Sequence, residues 1–222
     1  MNFKLKIFPL LSFCFFYANT FAQKVLADGI LNYTISIEST NGEKQVGGSL
    51  NGAALTVYLT KDRSRTEMES AAGSETFIYD SRAGKGIILK EYSGQKLMIT
   101  TSAENWSQKN QVKNNLNFSI DNSIINIGDY NCNKGTAVSS EGKTYTVYFD
   151  PSTVVSNKTY NNAFPQLPGL PVQYELKSGN LVFKYTLNKY AAETISPAKF
   201  EAPKAGYRIM TYEENQQLKK GD

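Results

Sequence analysis

The side chains best able to do chemistry fall in one short stretch. Arg63, Arg65, Glu67 and Glu69 recur at every second residue. Side chains of an extended strand alternate between faces, so these four share one face. Two carboxylates beside two guanidiniums could divide acid and base roles, the arginines holding one carboxyl ionised. Such chemistry also needs a nucleophile or an activated water. Glu67 and Glu69 would stand only ~7 Å apart along one strand, with no third group supplied. We therefore read the stretch as a solvated strand face with cross-strand ion pairs, and expect no enzyme activity.

Other chemistries are removed by what is missing. The 222 residues include no histidine, so Ser-His-Asp and Cys-His sites and His-ligated zinc are out. Asp121-Asn122-Ser123 has the opening of a calcium loop but lacks its later acidic positions, glycine and distant glutamate. No Walker loop, GxGxxG, GxSxG or HExxH occurs. Neither a metal nor a cofactor is expected. Asn-x-Ser/Thr occurs at Asn32, Asn105, Asn117 and Asn157, a pattern common by chance in so Asn-rich a chain.

The first 22 residues have the three parts of a secretory signal peptide. Lys4 and Lys6 precede an apolar run, Ile7 to Ala18, and Thr20-Phe21-Ala22 places small side chains before Gln23. Twelve residues span only ~18 Å as a helix, short of a ~30 Å hydrocarbon core, so this is not a membrane anchor. Cys14 lies within the apolar run after bulky Phe13, which argues against lipidation there. No later stretch reaches spanning length. The mature protein is expected in the periplasm or outside the cell. Removing residues 1–22 lowers the net charge from +4 to +2, too little for a nucleic-acid footprint. It also leaves Cys132 as a lone thiol, read as a small buried hydrophobe; a redox centre would need a lowered pKa.

Alternation dominates the rest. Leu31, Tyr33, Ile35 and Ile37 oppose Asn32, Thr34, Ser36 and Glu38, a half-buried strand. Further strands are expected around Leu55–Leu59, Arg63–Glu69, Thr76–Tyr79, Gly86–Tyr92, Lys96–Thr101, Ser123–Ile127, Tyr130–Val138, Thr144–Asp150, Val172–Leu176 and Leu181–Leu187. Short Gly-bearing links such as Ser93-Gly94 and Ser140-Glu141-Gly142 join them as hairpins. The expected fold is mainly β: one large curved antiparallel sheet, an incomplete barrel, with one or two short helices. Ser102 to Asn115 is a loop or one weak helix. Asn157 to Pro171, with three prolines, is a crossover. Residues 23–212 form a single domain, and 213–222 a flexible charged tail.

A curved sheet with so little helix must hide its concave face some other way, and a bound apolar ligand is one solution. Candidate lining residues are Tyr33, Ile35, Ile37, Val57, Leu59, Phe77, Tyr79, Val147, Phe149, Phe183 and Tyr185. Which face of each strand is concave is left open.

Short motifs support that picture. Ile125-Asn126-Ile127-Gly128-Asp129-Tyr130-Asn131-Cys132-Asn133-Lys134 resembles the I-x-G-Y-x-C-x-K strand of the secreted GLPGLI-type family of unknown function. Leu167-Pro168-Gly169-Leu170-Pro171 resembles its namesake turn, although Gln166 precedes it and Pro171 stands where isoleucine is usual. Phe200 to Tyr207 is similar to its terminal F-x-x-P-x-G-Y strand, with one residue added. Arg65-Thr66-Glu67-Met68 before Ile78-Tyr79-Asp80 also fits. The resemblance implies a fold like the periplasmic lipoprotein carriers of the LolA/LolB/LppX kind, an open barrel around a helical plug, with no catalytic residues. The expectation is an exported binder or carrier of a lipid or other hydrophobic ligand. The rival is a structural module with a self-filled core whose sheet edge engages an envelope protein.

Overall fold

The computed structural model describes residues 23–40, 52–160 and 164–220. The leader, residues 1–22, lies outside the described residues. A short strand, β1 (Lys24–Leu26), precedes the first long one, β2 (Gly29–Ser39), whose odd-numbered side chains from Gly29 to Ile35 are buried. An antiparallel meander follows: β3 (Ala54–Leu59), β4 (Arg63–Ser70), β5 (Gly73–Asp80), β6 (Lys85–Tyr92) and β7 (Gln95–Ser102). The link between β6 and β7 is a two-residue turn with positive φ at both Ser93 (50°) and Gly94 (78°). That backbone twist matches the twist of the strands it joins.

Helix α1 (Ala103–Asn114) then carries the chain to β8 (Ser119–Ile127), β9 (Tyr130–Val138) and β10 (Thr144–Asp150). β11 (Thr153–Val155) pairs in parallel with β1 as a separate two-stranded sheet. The hairpin β12 (Leu170–Ser178) and β13 (Leu181–Ala191) inserts between β10 and β2 and joins the two meanders. The last strand, β14 (Arg208–Thr211), returns to the far edge beside β7, and helix α2 (Tyr212–Lys220) ends the chain. The result is one open sheet of twelve strands. A sheet wider than ~10 strands curls to bury its face.

The fold is mainly β and its sheet open as expected, and two details go beyond that expectation. The sheet is mixed: β14 runs parallel to β7. The chain reaches that edge by crossing a face of the sheet from β13, and a crossover permits a parallel pair where a hairpin does not. Second, Tyr212–Lys220, most of the charged tail, forms a helix. Thr211 and Glu214 form a reciprocal cap, each side chain accepting the other residue's backbone N–H at 3.1 and 2.7 Å. Helix α1 begins in the same way. Ser102 and Asn105 exchange side-chain and backbone hydrogen bonds at 3.1 and 3.2 Å. Trp106 then stacks on Tyr79, centroids 4.3 Å apart and rings 2° from parallel. This pins α1 against β5.

The crossover from β13 to β14 is a strap. Ile195 and Phe200 bury themselves on Ile78, Leu89 and Met98 of β5, β6 and β7. These share the strand face opposite Phe77, Ile88 and Ile99, so the strap covers the outside of the curve. It also reaches Glu67, and this changes the reading of the Arg/Glu stretch. Arg65 bonds Glu67 on its own strand, both side chains less than a fifth exposed, and Arg65 Nη1 donates to the Lys199 carbonyl at 3.2 Å. Lys199 Nζ lies 3.9 Å from Glu67 and over the Tyr58 ring. The stretch is thus partly roofed, and Glu67 helps hold the strap down. Arg63 does pair across strands, with Asp80 at 3.5 Å.

Further along, the Tyr207 hydroxyl donates to Glu91, which also accepts from Lys96 at 2.7 Å. These two bonds hold the Glu91 carboxyl below its ordinary value of 4.5. A lowered folded value gives stabilisation that is complete above pH ~4.5 and disappears as pH falls through the folded value. The near-UV tyrosine signal of the strap should therefore weaken below pH ~4.5, and Glu91→Gln should remove that step. The pair is solvent-accessible, so the effect is at most about 1 kcal/mol. An unchanged signal down to pH 3 would contradict it.

Candidate functional site

The inner face of the sheet is lined by aromatics whose positions follow from strand pairing. Tyr33 of β2, Tyr185 of β13 and Tyr174 of β12 lie on neighbouring strands, and Tyr174 opposes Tyr185 directly. Those two rings stack at 4.8 Å and 11°. Tyr33 meets Tyr174 edge-on at 6.0 Å, and Phe164, from the segment before β12, meets Tyr174 at 5.6 Å and 86°. Phe164 also contacts Phe118 and Tyr145 edge-on. Such pairs stabilise beyond their buried area by about 0.5–1.5 kcal/mol each.

This aromatic wall does not fill the concave space. A cavity of about 1050 Å3 remains, lined among others by Tyr33, Leu55, Met68, Phe77, Tyr160, Phe164, Tyr174, Phe183 and Tyr185. That is at the upper end of the ~300–1,000 Å3 usual for small-molecule sites. Burial keeps the phenols neutral: Tyr33, Tyr160 and Tyr174 are pushed well above the ordinary tyrosine value, and Tyr185 up to about 12. They act as hydrogen-bond donors, not anions. Tyr33 donates to the Pro171 carbonyl at 2.8 Å.

The opening has a structural cause. β10 and β12 pair from Asp150–Leu170 as far as Val147–Tyr174, where the ladder ends. Beyond it Thr144, Tyr145 and Thr146 on one side and Glu175, Leu176 and Lys177 on the other all line the cavity. A slot between two strand edges therefore leads inside. Lys143 before β10 and Lys177 of β12 are exposed lining residues at this mouth, and Lys109 of α1 and half-buried Lys134 of β9 line the same cavity.

The residues singled out from sequence divide in two. Tyr33, Phe77, Phe183 and Tyr185 line the cavity. Ile35, Val57, Leu59, Val147 and Phe149 are buried in the packed core beside it, and Ile37 packs against that core. Tyr79 is buried under Trp106. Lining residues not singled out include Leu55, Met68, Tyr160, Phe164 and Tyr174. Leu55 and Met68 sit in register with Tyr33, so pairing register would have found them.

Motif positions also acquire physical roles. Leu167 and Leu170 are fully buried, and a Cβ on Gly169 would lie 2.3 Å from the Asp150 carbonyl oxygen and 2.5 Å from the Phe149 ring. The turn seals the core where β12 joins β10. Cys132 is buried in that core, and burial raises its thiol to about 11, which makes it a packing residue. Asn157, within a glycosylation pattern, is 3% exposed and donates to the Thr60 and Arg63 carbonyls at 2.9 and 3.1 Å. It ties the crossover to the turn between β3 and β4. Asp121 accepts from the Ser123 N–H at 2.9 Å within an irregular stretch of β8.

No family model matches the chain, and no curated protein does. Among solved structures, the protein PNGF-II, in two crystal forms, is similar with a TM-score of 0.46 and 11% identity. The match covers 86% of this chain and 32% or 33% of PNGF-II, so the chain spans about one third of that protein's length. A LolA superfamily protein from Nitrosomonas europaea is similar with a TM-score of 0.37 and 7% identity, over 82% of this chain and 93% of that one.

Proposed function

We propose that this protein binds or carries a hydrophobic or amphiphilic ligand in the cavity of its curved sheet, without catalysing a reaction. The observation that carries this reading is the unfilled, aromatic-lined space of about 1050 Å3 that opens through the β10–β12 slot. A self-filled structural core would have closed it. At ~25 cal/mol per Å2, burying one acyl chain there supplies several kcal/mol. Arg65 and Glu67 of the charged stretch on β4 are engaged in holding the strap, which supports a non-catalytic reading. The signal-peptide pattern of residues 1–22 supports a location outside the cytoplasm for such a carrier. Among the described residues no helix is long and apolar enough to cross a membrane.

Organic extraction of protein purified without detergent, followed by mass spectrometry, should release lipid near one equivalent. The stripped protein should then bind an apolar fluorophore, with displacement by long-chain lipids. Absence of both co-purifying lipid and fluorophore binding would refute the reading.

A further inference from the structure

Resting on that reading, we infer that the ligand is an anionic acyl lipid whose charged group meets the lysines at the slot and whose carbonyl oxygen accepts a hydrogen bond from Tyr160 inside. Two separate observations meet here. The Tyr160 hydroxyl is buried, lines the cavity and has no hydrogen bond of ordinary geometry among the described residues. Its nearest partner is the Tyr33 hydroxyl, whose hydrogen goes to Pro171; the contact between the two phenols falls outside ordinary hydrogen-bond geometry, so Tyr160 is left with only a poor acceptor. An unsatisfied buried hydroxyl costs roughly the desolvation of a polar group, and native structures rarely leave one without cause. A ligand acceptor atom brought to the cavity would satisfy it. A purely hydrocarbon ligand would not.

The second observation is charge. Lysines from four separate elements, Lys109, Lys134, Lys143 and Lys177, line the same cavity, against Glu75 and Glu175. Glu75 is engaged by Lys90 at 3.1 Å and Lys143 by Glu141 at 2.9 Å. Lys109 lies over the Phe77 ring, and Asp121 feels the charge of Lys134. The lining is net positive, and exposed Lys143 and Lys177 flank the slot, where a headgroup would stay in water while its chain goes inside.

Binding of the delipidated full chain to four probes tests this: oleate, dioleoylphosphatidylglycerol, methyl oleate and octadecene. Either anionic probe should bind about 10-fold or more tighter than octadecene, with methyl oleate between. Tyr160→Phe should weaken the two ester probes, dioleoylphosphatidylglycerol and methyl oleate, about 5-fold, the scale of one net hydrogen bond, and leave octadecene unchanged; oleate, whose one carboxylate stays with the lysines, should change little. Its melting temperature should be equal or higher, because the lost hydroxyl makes no well-formed hydrogen bond among the described residues. Lys143→Gln with Lys177→Gln should weaken the anionic probes alone. Equal affinity for all four probes, or no selective loss in Tyr160→Phe, would overturn the inference while the carrier reading stands. If no probe binds at all, the carrier reading fails with it.

Discussion

Gly169→Ala should lower the melting temperature by about 6–12 °C. The new methyl group has nowhere to go. Its ideal position is 2.3 Å from the Asp150 carbonyl oxygen and 2.5 Å from the Phe149 ring. Phe149 is 1% exposed and cannot swing aside, and the carbonyl belongs to the β10 backbone where it pairs with β12. Overpacking a core typically costs ~1–3 kcal/mol, and a clash with backbone belongs at the upper end. For a domain of this size, 1 kcal/mol is worth about 2–4 °C. Gly142→Ala is the control: its φ is +74°, but nothing lies within 4 Å of the added Cβ. It should cost only the left-handed strain of about 1–2 kcal/mol. Thermal unfolding followed by circular dichroism separates the two. A Gly169→Ala midpoint no lower than that of Gly142→Ala would show that the turn is not the tight seal described.

The strands were readable because period two is a local property. Every alternating segment from Leu31 to Leu187 became a strand, and Ser93-Gly94 became the turn its residues favour. What escaped was non-local or short. β1, β11 and β14 are three or four residues long, too brief to show a period. The strap gives no periodic signal, because Ile195 and Phe200 are isolated apolar residues that acquire meaning only over Ile78 and Leu89. Helix α2 does carry a local signal: Thr211-Tyr212-Glu213-Glu214 is a capping box, and its reciprocal bonds form. Helix α1 was harder, since asparagine takes the place of glutamate at Asn105. As for the site, alternation names the inner face but not which part of that face is covered. Covering depends on α1 and on Tyr160 and Phe164, whose sequence distance from β2 hides the contact.

That distinction makes Phe149→Ala and Tyr185→Ala behave oppositely, although both residues look alike in sequence. Phe149 is enclosed on all sides in the core. Its truncation leaves a sealed void, for which Phe→Ala losses of ~3–5 kcal/mol are usual. Against a typical total of ~5–15 kcal/mol, this should shift melting by about 6 °C at least and leave part of the protein unfolded at 37 °C. Tyr185 borders space that is already open, so its loss enlarges an existing cavity rather than creating one. It forfeits mainly the stacked pair with Tyr174, about 0.5–1.5 kcal/mol. Binding should reverse the order. Tyr185→Ala removes apolar surface that a ligand would cover and should weaken an apolar fluorophore several-fold. The milder Phe149→Leu, which keeps the fold, should leave that affinity unaltered. Equal destabilisation by both alanines would mean that the sheet closes over Tyr185 in solution, and a cavity closed there could not admit a chain past the β10–β12 slot.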